Sequence, residues 1–563
     1  MRIVLSLILC CFSFFSFSQK ASQKWADSVY NSLSEDERIT QLMIVRLSTI
    51  DLKTNVVTYF DKEVEDLVKK YNVGGVIVFQ GSPVKQAETI NNLQSLAKTP
   101  IMISIDAEWG LGQRMFDSIL LLPKQMMLGA MADSSIVYEY GKVVAHQLKR
   151  LGFHVNYAPV VDVNNNPSNP VINDRSFGEN KYKVASFGIE YMKGLQNNNI
   201  MACAKHFPGH GDVSVDSHLD LPIINKSLAQ LDSLELYPFK RLFAAGVASV
   251  MNAHLYIPAI DDTKNLATSL SEKNIKGLLQ NQMGFKGLIF TDALEMQGVQ
   301  KFFPNGEASV KALKAGSDML CLPVDIPLSI SSIKDAIKNK QLSWEEIELH
   351  CKKVLAAKYE YVIGNVKPID LNNLTNDLNS EVPEMTRLVA ENAITLLSQK
   401  EKIFLSKHKK GKIAYIGFGS DSTAALPTRL KNIYNADTYF FSISKNNSDS
   451  INQILESIKK YDKIIIGIHN INRPPLNNFG ISSQTVDIIN KIEKKSKTTI
   501  LLFGNAYAAK NWCHADNLIV CYEDGSIIQN TALDMLEGKI PFKGTLPVTV
   551  CKKYPGGFGI TNF

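Results

Sequence analysis

Several features that define other classes of protein are scarce in this sequence. Only 8 of its 563 residues are cysteine, and two of these, Cys10 and Cys11, lie in an N-terminal segment. The other six are scattered without a CxxC spacing, so they indicate neither a zinc site nor a disulfide framework. Cys203 and Cys321 fall in apolar runs, and we expect them to be buried as small hydrophobic residues.

An excess of charge of one sign is also lacking. The formal net charge is +6 and no basic block is present, which argues against nucleic acid as a partner. Hydrophobic residues make up 45% of the chain and charged residues 21%, the balance of an ordinary soluble globular protein. At roughly 100–250 residues per domain, the length predicts two or three domains.

No segment beyond the N-terminus is long and apolar enough to predict a transmembrane helix. At the N-terminus, Arg2 precedes an apolar run, Ile3 to Phe17, which ends in a small-x-small site at residues 16–18. This pattern predicts a secretory signal peptide over residues 1–18 and export to the periplasm or the medium. The run is shorter than the roughly 20 residues of a membrane span. An uncleaved anchor and lipid attachment at Cys10 or Cys11 are the alternatives.

Between residues 19 and 365, short apolar runs alternate with longer amphipathic stretches such as Ser135–Arg150. Near-continuous apolar runs are typical of parallel strands buried on both faces. Eight such β-then-α units predict a (β/α)8 barrel, and a doubly wound open sheet is the alternative. The eight runs are Leu42–Arg46, Val73–Phe79, Ile101–Asp106, Phe153–Pro159, Ile200–His206, Val247–His254, Gly287–Asp292 and Asp318–Leu322.

A second alternating region is predicted after a linker and a connecting helix at residues 366–398, with the helix near Glu384–Ser398. Residues 399–563 contain five apolar runs separated by helix-like stretches, which predict a three-layer α/β/α sandwich. The region has no complete Gly-rich phosphate motif, so no nucleotide cofactor is expected. The five runs are Ile413–Phe418, Thr438–Ile443, Lys463–Ile468, Thr499–Phe503 and Leu518–Tyr522.

Acids and histidines stand at the ends of several predicted barrel strands. Asp106, His206, His254 and Asp292 each end an apolar run. The catalytic groups of barrel enzymes come from the carboxyl ends of several different strands. Four polar residues in equivalent positions therefore predict an active site there, although a single one would be explained as a capping residue.

The densest polar cluster follows the fifth run directly. Lys205 to Asp212 reads Lys-His-Phe-Pro-Gly-His-Gly-Asp, and Asp216 and His218 come shortly after. An Asp and a His two residues apart on a loop can form a hydrogen-bonded pair in which the carboxylate orients the imidazole. The pair predicts a general acid/base.

The same cluster also offers possible metal ligands. Their spacing matches no metalloenzyme motif, so we predict no metal site. The candidate ligands are His206, His210, Asp212, His218 and His254.

Four motifs occur in order within residues 35–325. They are Ile105–Glu108 with Gly110 and Arg114, Asn173–Gly178, Lys205–Asp212 followed by Asp216 and His218, and Phe290–Asp292 with Met296. Together they resemble the β-N-acetylglucosaminidase branch of glycoside hydrolase family 3. The resemblance implies a (β/α)8 barrel, to which many members add an α/β sandwich.

The resemblance also implies a role for each matching residue. Asp292 would be the nucleophile that forms a glycosyl-enzyme intermediate, and His218, oriented by Asp216, would be the acid/base of a retaining reaction. The residues that would bind the first sugar are Asp106, Arg114, Arg175, Lys205 and His206. One departure is Trp109, where the family usually has glycine. This tryptophan would either line the mouth of the pocket or pack against the barrel.

The sequence thus predicts an exported enzyme that removes terminal β-linked N-acetylglucosamine from peptidoglycan fragments or chitooligosaccharides, without a cofactor. A family 3 β-glucosidase or β-xylosidase is one alternative, but such relatives generally lack the Asp-x-His loop. A phosphorylase is another, because a neutral histidine would repel phosphate less than a carboxylate. A non-catalytic glycan-binding protein would be expected to lack the nucleophile or the Asp–His pair. The oligomeric state stays open.

Overall fold

The structure is a computed structural model that describes residues 20–51, 53–215, 220–400, 403–405, 411–445 and 454–561. It contains an eight-stranded sheet in the N-terminal part and a six-stranded sheet in the C-terminal part. A short antiparallel hairpin, Ser48–Ile50 with Val57–Tyr59, follows the first strand. Among the described residues, none of the helices combines the length and the apolar character that a membrane crossing requires.

The eight-stranded sheet is parallel and closes into a barrel. Its first and last strands pair at Met43 and Leu320, and Phe290 bridges Met319 in parallel. The predicted (β/α)8 barrel is confirmed, and each strand lies within or beside its predicted run. The strands are β1 Met43–Arg46, β2 Gly75–Val78, β3 Met102–Ile105, β4 Val155–Asn156, β5 Met201–Phe207, β6 Ser249–Asn252, β7 Leu288–Thr291 and β8 Leu320–Cys321.

Amphipathic helices cover the barrel. Ser135–Arg150 has the predicted bounds, buries apolar residues on one face and carries Lys149 and Arg150 in its last turn, where positive charge complements the helix dipole. The other helices of more than three residues that begin and end within described residues are Glu35–Thr40, Asp61–Tyr71, Pro83–Leu96, Gln125–Gly129, Lys181–Gln196, Leu228–Ser233, Leu236–Ala244, Lys273–Gln282, Gln297–Gln300, Glu307–Ala315, Ile326–Lys338 and Trp344–Tyr361.

The second sheet belongs to an α/β/α sandwich, as predicted. Its strand order is β9-β14-β13-β12-β10-β11, and only β9 runs antiparallel to its neighbour. The strands are β9 Thr395–Gln399, β10 Ile413–Phe418, β11 Asp437–Phe441, β12 Lys463–Ile468, β13 Thr498–Leu502 and β14 Asn517–Val520. The helices that begin and end within described residues are Ala425–Tyr434, Ser483–Lys495 and Ser526–Leu536.

The segment between the two sheets corrects one prediction. The connecting helix covers Val382–Ala393 and does not reach Ser398, because β9 begins at Thr395 and pairs with β14. The predicted linker also contains a short helix, Leu374–Asn379. Residues 395–399 are therefore part of the second sheet.

The cysteines give one confirmation and one correction. Cys203 and Cys321 are buried free thiols, as expected from their apolar surroundings. Cys513 and Cys551 form a disulfide in the second domain, which the scattered spacing of the cysteines did not indicate. The bond joins residues 38 positions apart.

Candidate active site

A network of buried charges forms the floor of a cavity at the carboxyl ends of the barrel strands. The ammonium of Lys205, on β5, lies 2.7 Å from Asp106 Oδ1 and 2.8 Å from Glu108 Oε1. Arg175 donates to both carboxylate oxygens of Glu108, at 2.9 and 2.6 Å. Arg114 lies 3.2 Å from Asp106 Oδ2 and donates from Nε to the Asp106 carbonyl. The five side chains, which come from β5 and from the segments after β3 and β4, thus form one ion-pair network.

Electrostatics in this network favour the ionised forms. Burial alone would raise the pKa of Glu108, but Arg175 and Lys205 outweigh it and hold that pKa well below its ordinary value. Burial would lower the pKa of Lys205, yet the carboxylates of Asp106 and Glu108 raise it above the ordinary value. The floor therefore presents fixed charges and hydrogen-bonding groups of the kind that bind a polyhydroxylated ligand.

A buried carboxylate orients the histidine that follows Lys205. His206 Nδ1 lies 2.7 Å from Asp162 Oδ2, and the backbone N–H groups of His206 and His210 also donate to Asp162. His206 Nε2 lies 3.2 Å from an Arg175 nitrogen. Burial would raise the pKa of Asp162, but the neighbouring His206 lowers it, so the carboxylate can fix the tautomer and direction of the ring.

Close backbone packing holds the loop after β5 against the loop after β4. A Cβ at Gly211 would lie 1.8 Å from the Val163 carbonyl oxygen, so only glycine fits there. Asn169 Nδ2 donates to the carbonyls of His210 and Gly211. Farther along the loop, Lys226 bridges Asp212 at 2.6 Å and the buried Glu235 at 2.5 Å.

Asp292 follows β7 and lines the same cavity, whose volume is about 420 Å³. Its backbone N–H donates to the Asn252 carbonyl at 2.9 Å, and its Oδ1 accepts from the Ala293 N–H at 2.8 Å. These bonds join the turn after β7 to β6 and fix the direction of the carboxylate. A carboxylate that faces a cluster of cationic and hydrogen-bonding groups can act as a nucleophile toward a bound electrophile.

The second domain contributes to the cavity wall. Arg473 and Pro474 line it together with the barrel residues. Arg473 donates from Nε to Asp174 Oδ1 at 2.7 Å, and its guanidinium carbon lies 5.1 Å from the centre of the Trp109 ring. Trp109 is only 7% exposed and lines the cavity, where its ring lies near Lys124 of the barrel and Arg473 of the second domain.

With this geometry in place, comparison with known proteins assigns the family. The family model described as "Glycosyl hydrolase family 3 N terminal domain" matches residues 34–357. That region spans most of the barrel and carries every residue of the cavity floor. The chain belongs to glycosyl hydrolase family 3.

The chain is also similar to individual named proteins. The chain is 29% identical to a beta-hexosaminidase A of Pseudoalteromonas piscicida over 373 residues, which cover 61% of the chain and 62% of that relative. It is 33% identical to a beta-hexosaminidase of Nitrosomonas eutropha over 259 residues, 44% of the chain and 73% of that relative. A solved family 3 beta-N-acetylglucosaminidase from Paenibacillus sp. str. FPU-7 superposes with a TM-score of 0.76 at 26% identity, covering 92% of this chain and 99% of that one.

The structure brings most of the predicted site residues of this family 3 member together. Asp216 and His218 lie outside the described residues, so the acid/base assignment stays a prediction. His254 is not among the residues that line the cavity: it is buried, with Nδ1 2.6 Å from Ser269 Oγ and Nε2 2.9 Å from the carbonyl oxygen of Ala293, which does line it. It supports the turn that carries Asp292. The predicted residues that line the cavity are Asp106, Arg114, Arg175, Lys205, His206 and Asp292.

Sequence reasoning missed three contributors, of which Glu108 was quoted in a motif but given no role. Asp162 stands three residues beyond the apolar run that predicted β4. A search for acids just after each predicted strand, and not only at its last residue, would have included it. Arg473 follows β12 of the second sheet, and no sequence signal connects it with the barrel. Among the described residues, no group of three or more His, Cys, Asp or Glu side chains is arranged to hold a metal ion.

Proposed function

We propose that this family 3 enzyme hydrolyses terminal β-linked N-acetylglucosamine with retention of anomeric configuration. The observation that carries the proposal is that Asp292 lines one cavity with Asp106, Arg175, Lys205 and His206. A sugar held by those four side chains would present its anomeric carbon to a carboxylate. The names of the relatives, beta-hexosaminidase and beta-N-acetylglucosaminidase, support N-acetylglucosamine as the sugar.

In the proposed first step, Asp292 attacks the anomeric carbon while the glycosidic C–O bond breaks. His218, oriented by Asp216, gives its proton to the departing oxygen. In the second step, His218 takes a proton from water, the water oxygen bonds to the anomeric carbon, and Asp292 leaves as a carboxylate. The histidine is neutral after the first step, so it can accept the proton of the second.

We further propose export, with the products serving turnover of cell-envelope or environmental glycan. The apolar run before residue 18 supports export, and so does the Cys513–Cys551 disulfide, because such bonds persist mainly in oxidising compartments. Peptidoglycan fragments and chitooligosaccharides both end in the required sugar.

The test compares wild type with Asp292→Asn and His218→Ala on 4-nitrophenyl N-acetyl-β-glucosaminide, the matching glucoside and chitobiose. Wild type should cleave the N-acetylated substrates and leave the glucoside nearly untouched. Asp292→Asn should lose activity by about a thousandfold or more. His218→Ala should lose about 10²- to 10⁴-fold on chitobiose and less on the nitrophenyl substrate, whose leaving group needs no proton.

Matched controls are an exposed aspartate and an exposed histidine outside the cavity, Asp117→Asn and His514→Ala, which should keep full activity. A preference for the glucoside, or normal turnover by Asp292→Asn, would contradict the proposal. Product analysis in phosphate buffer separates hydrolysis from phosphorolysis, because a phosphorylase would release the sugar 1-phosphate.

A further inference from the structure

The wall of the cavity that comes from the second domain carries a cation. Arg473 lies beyond β12 and reaches the cavity in which Asp292 stands. Its side chain is 43% exposed. In the proposed function the floor residues hold the sugar that is cleaved, which leaves the wall for the part of the substrate beyond the scissile bond, the aglycone.

Two contacts hold the guanidinium of Arg473 in place. Nε donates to Asp174, whose side chain is only 10% exposed, and the planar group lies against the Trp109 ring. Within the described residues, the two Nη groups have no hydrogen-bond acceptor. A fixed guanidinium with unused Nη–H donors is suited to bind a carboxylate through paired hydrogen bonds.

Other cations near this wall are already engaged. Lys124 contacts both oxygens of Glu523, at 3.0 and 2.9 Å, and lies 3.8 Å from Asp174. These two cations and the two carboxylates that they contact balance in charge, and a third nearby carboxylate, Asp524, accepts from Gln529 and from the backbone N–H of Asn470. A ligand carboxylate would be selected through the hydrogen bonds of Arg473 rather than through an excess of positive charge.

A second cavity continues from this point between the two domains. Its volume is about 260 Å³, and it shares Asp174 and Arg473 with the first cavity. On one side it is lined by Met126 and Met127 of the barrel, and on the other by residues that follow β12, β13 and β14. The carboxyl ends of parallel strands are the usual ligand-binding edge of an open α/β sheet. This cavity can receive substituents that an acidic aglycone carries.

We propose that Arg473 binds a carboxylate on the aglycone and makes the enzyme selective for acidic substrates. This inference rests on the proposed function and deepens it. It favours a glycan in which the sugar after N-acetylglucosamine bears a carboxylate over a neutral chitooligosaccharide. Arg473 is then a specificity-determining residue contributed by the second domain.

The experiment uses one disaccharide in two forms: N-acetylglucosaminyl-β-1,4-N-acetylmuramic acid and its methyl ester, which has nearly the same shape but no charge. For wild type, kcat/KM should be about tenfold or more higher on the acid, mainly through KM, as expected for a charge-assisted hydrogen bond. In Arg473→Gln this ratio should fall to near one. Arg473→Lys, which keeps the charge but not the planar fork, should give an intermediate ratio.

The matched control is Arg387→Gln, which removes another ion-paired arginine, bonded to Glu384 on the connecting helix, and should leave the acid-to-ester ratio unchanged. An unchanged ratio in Arg473→Gln would overturn the inference. So would equal losses on both forms, which would mean that Arg473 only braces the domains. If wild type does not cleave 4-nitrophenyl N-acetyl-β-glucosaminide, the proposed function is overturned, and the inference with it. If wild type cleaves that substrate but has the same kcat/KM on the acid and on the ester, only the inference is overturned.

Discussion

At the scale of single residues, the site depends on Glu108, a carboxylate of the cavity floor that has no bond-making or proton-transfer role in the proposed reaction. Glu108 is 1% exposed and binds two cations, Lys205 and Arg175. Those cations in turn hold Asp106 and His206 in position. A buried charge pair adds little net stability compared with an apolar pair of the same shape, but removing one partner leaves the other charge buried and unpaired.

We therefore expect Glu108→Gln to lower the free energy of unfolding by about 3–5 kcal/mol at pH 7 and to abolish most activity. Because the pKa of Glu108 is depressed in the folded state, its contribution is present above the unfolded pKa of about 4.3. It is lost as the pH falls through the lower folded value. The difference between wild type and variant, measured by denaturant unfolding at several pH values, should thus shrink below pH 4.

The control is Glu381→Gln, which removes a half-exposed carboxylate bonded to His146. Exposed ion pairs contribute about 0–1 kcal/mol, so this variant should unfold like wild type. If Glu108→Gln had the same free energy of unfolding as the control, the Glu108 carboxylate would not be required to stabilise the buried charges of Lys205 and Arg175.

At the scale of elements, the barrel was predictable because its strands are continuous apolar runs that contrast with the amphipathic helices between them. Thr395–Gln399 was missed for the opposite reason. This strand follows the connecting helix after a single residue, and its two leucines continue the apolar pattern of that helix. Only its pairing with β14 distinguishes strand from helix, and that pairing is a long-range contact.

The site was predictable where strand order brings residues together. Asp106, Lys205 and Asp292 end strands of one parallel barrel, and the carboxyl ends of such strands share one face. Arg473 could not be placed in this way because the docking of the second sheet on the barrel determines its position. The Cys513–Cys551 pair was also beyond prediction, since connectivity cannot be deduced from spacing.

The last helix of the barrel carries a buried lysine that gives a prediction for pH dependence. Lys358, on Trp344–Tyr361, is fully buried and donates to Gln41 Oε1 at 2.7 Å. Burial lowers its pKa from 10.5 to about 7. Between these two values the unfolded chain binds more protons than the folded one, so this group makes stability rise with pH, by up to about 1.4 kcal/mol per pH unit.

We expect Lys358→Met to flatten that rise. The variant should be more stable than wild type near pH 7, where burying a charge is costly, and the advantage should decrease toward pH 10. Thermal unfolding of both proteins from pH 6 to 10 measures the difference. Lys353→Met, on the same helix but bonded to Asp318 at 2.6 Å, is the comparison and should be destabilising. Parallel pH profiles for wild type and Lys358→Met would refute the assignment.

At the scale of the whole molecule, the second domain forms part of the wall of the candidate active site and packs against the barrel. Thr545 N–H donates to the Ala130 carbonyl, and Glu179 accepts from the backbone and side chain of Thr549. Asn164 Nδ2 donates to the Tyr507 hydroxyl. These bonds reach the loops after β3 and β4, which bear the floor residues, so the docking of the domains and the geometry of the cavity are coupled.

Asn505 gives the sharpest test of this coupling. Its Nδ2 donates to Asn173 Oδ1 at 2.6 Å, and Asn173 opens the single turn Asn173–Arg175 that carries Arg175. We expect Asn505→Ala to lower kcat/KM on 4-nitrophenyl N-acetyl-β-glucosaminide by about tenfold, because a small displacement of the sugar-binding Arg175 is costly. Asn505 itself is not among the residues that line the cavity with Asp292. Asn511→Ala removes a pair of side-chain hydrogen bonds with Asn478, within the second domain, and should keep wild-type activity. If the two variants were equally active, the bond between Asn505 and Asn173 would contribute no more to catalysis than the bonds between Asn511 and Asn478. The barrel would then position Arg175 without help from the second domain.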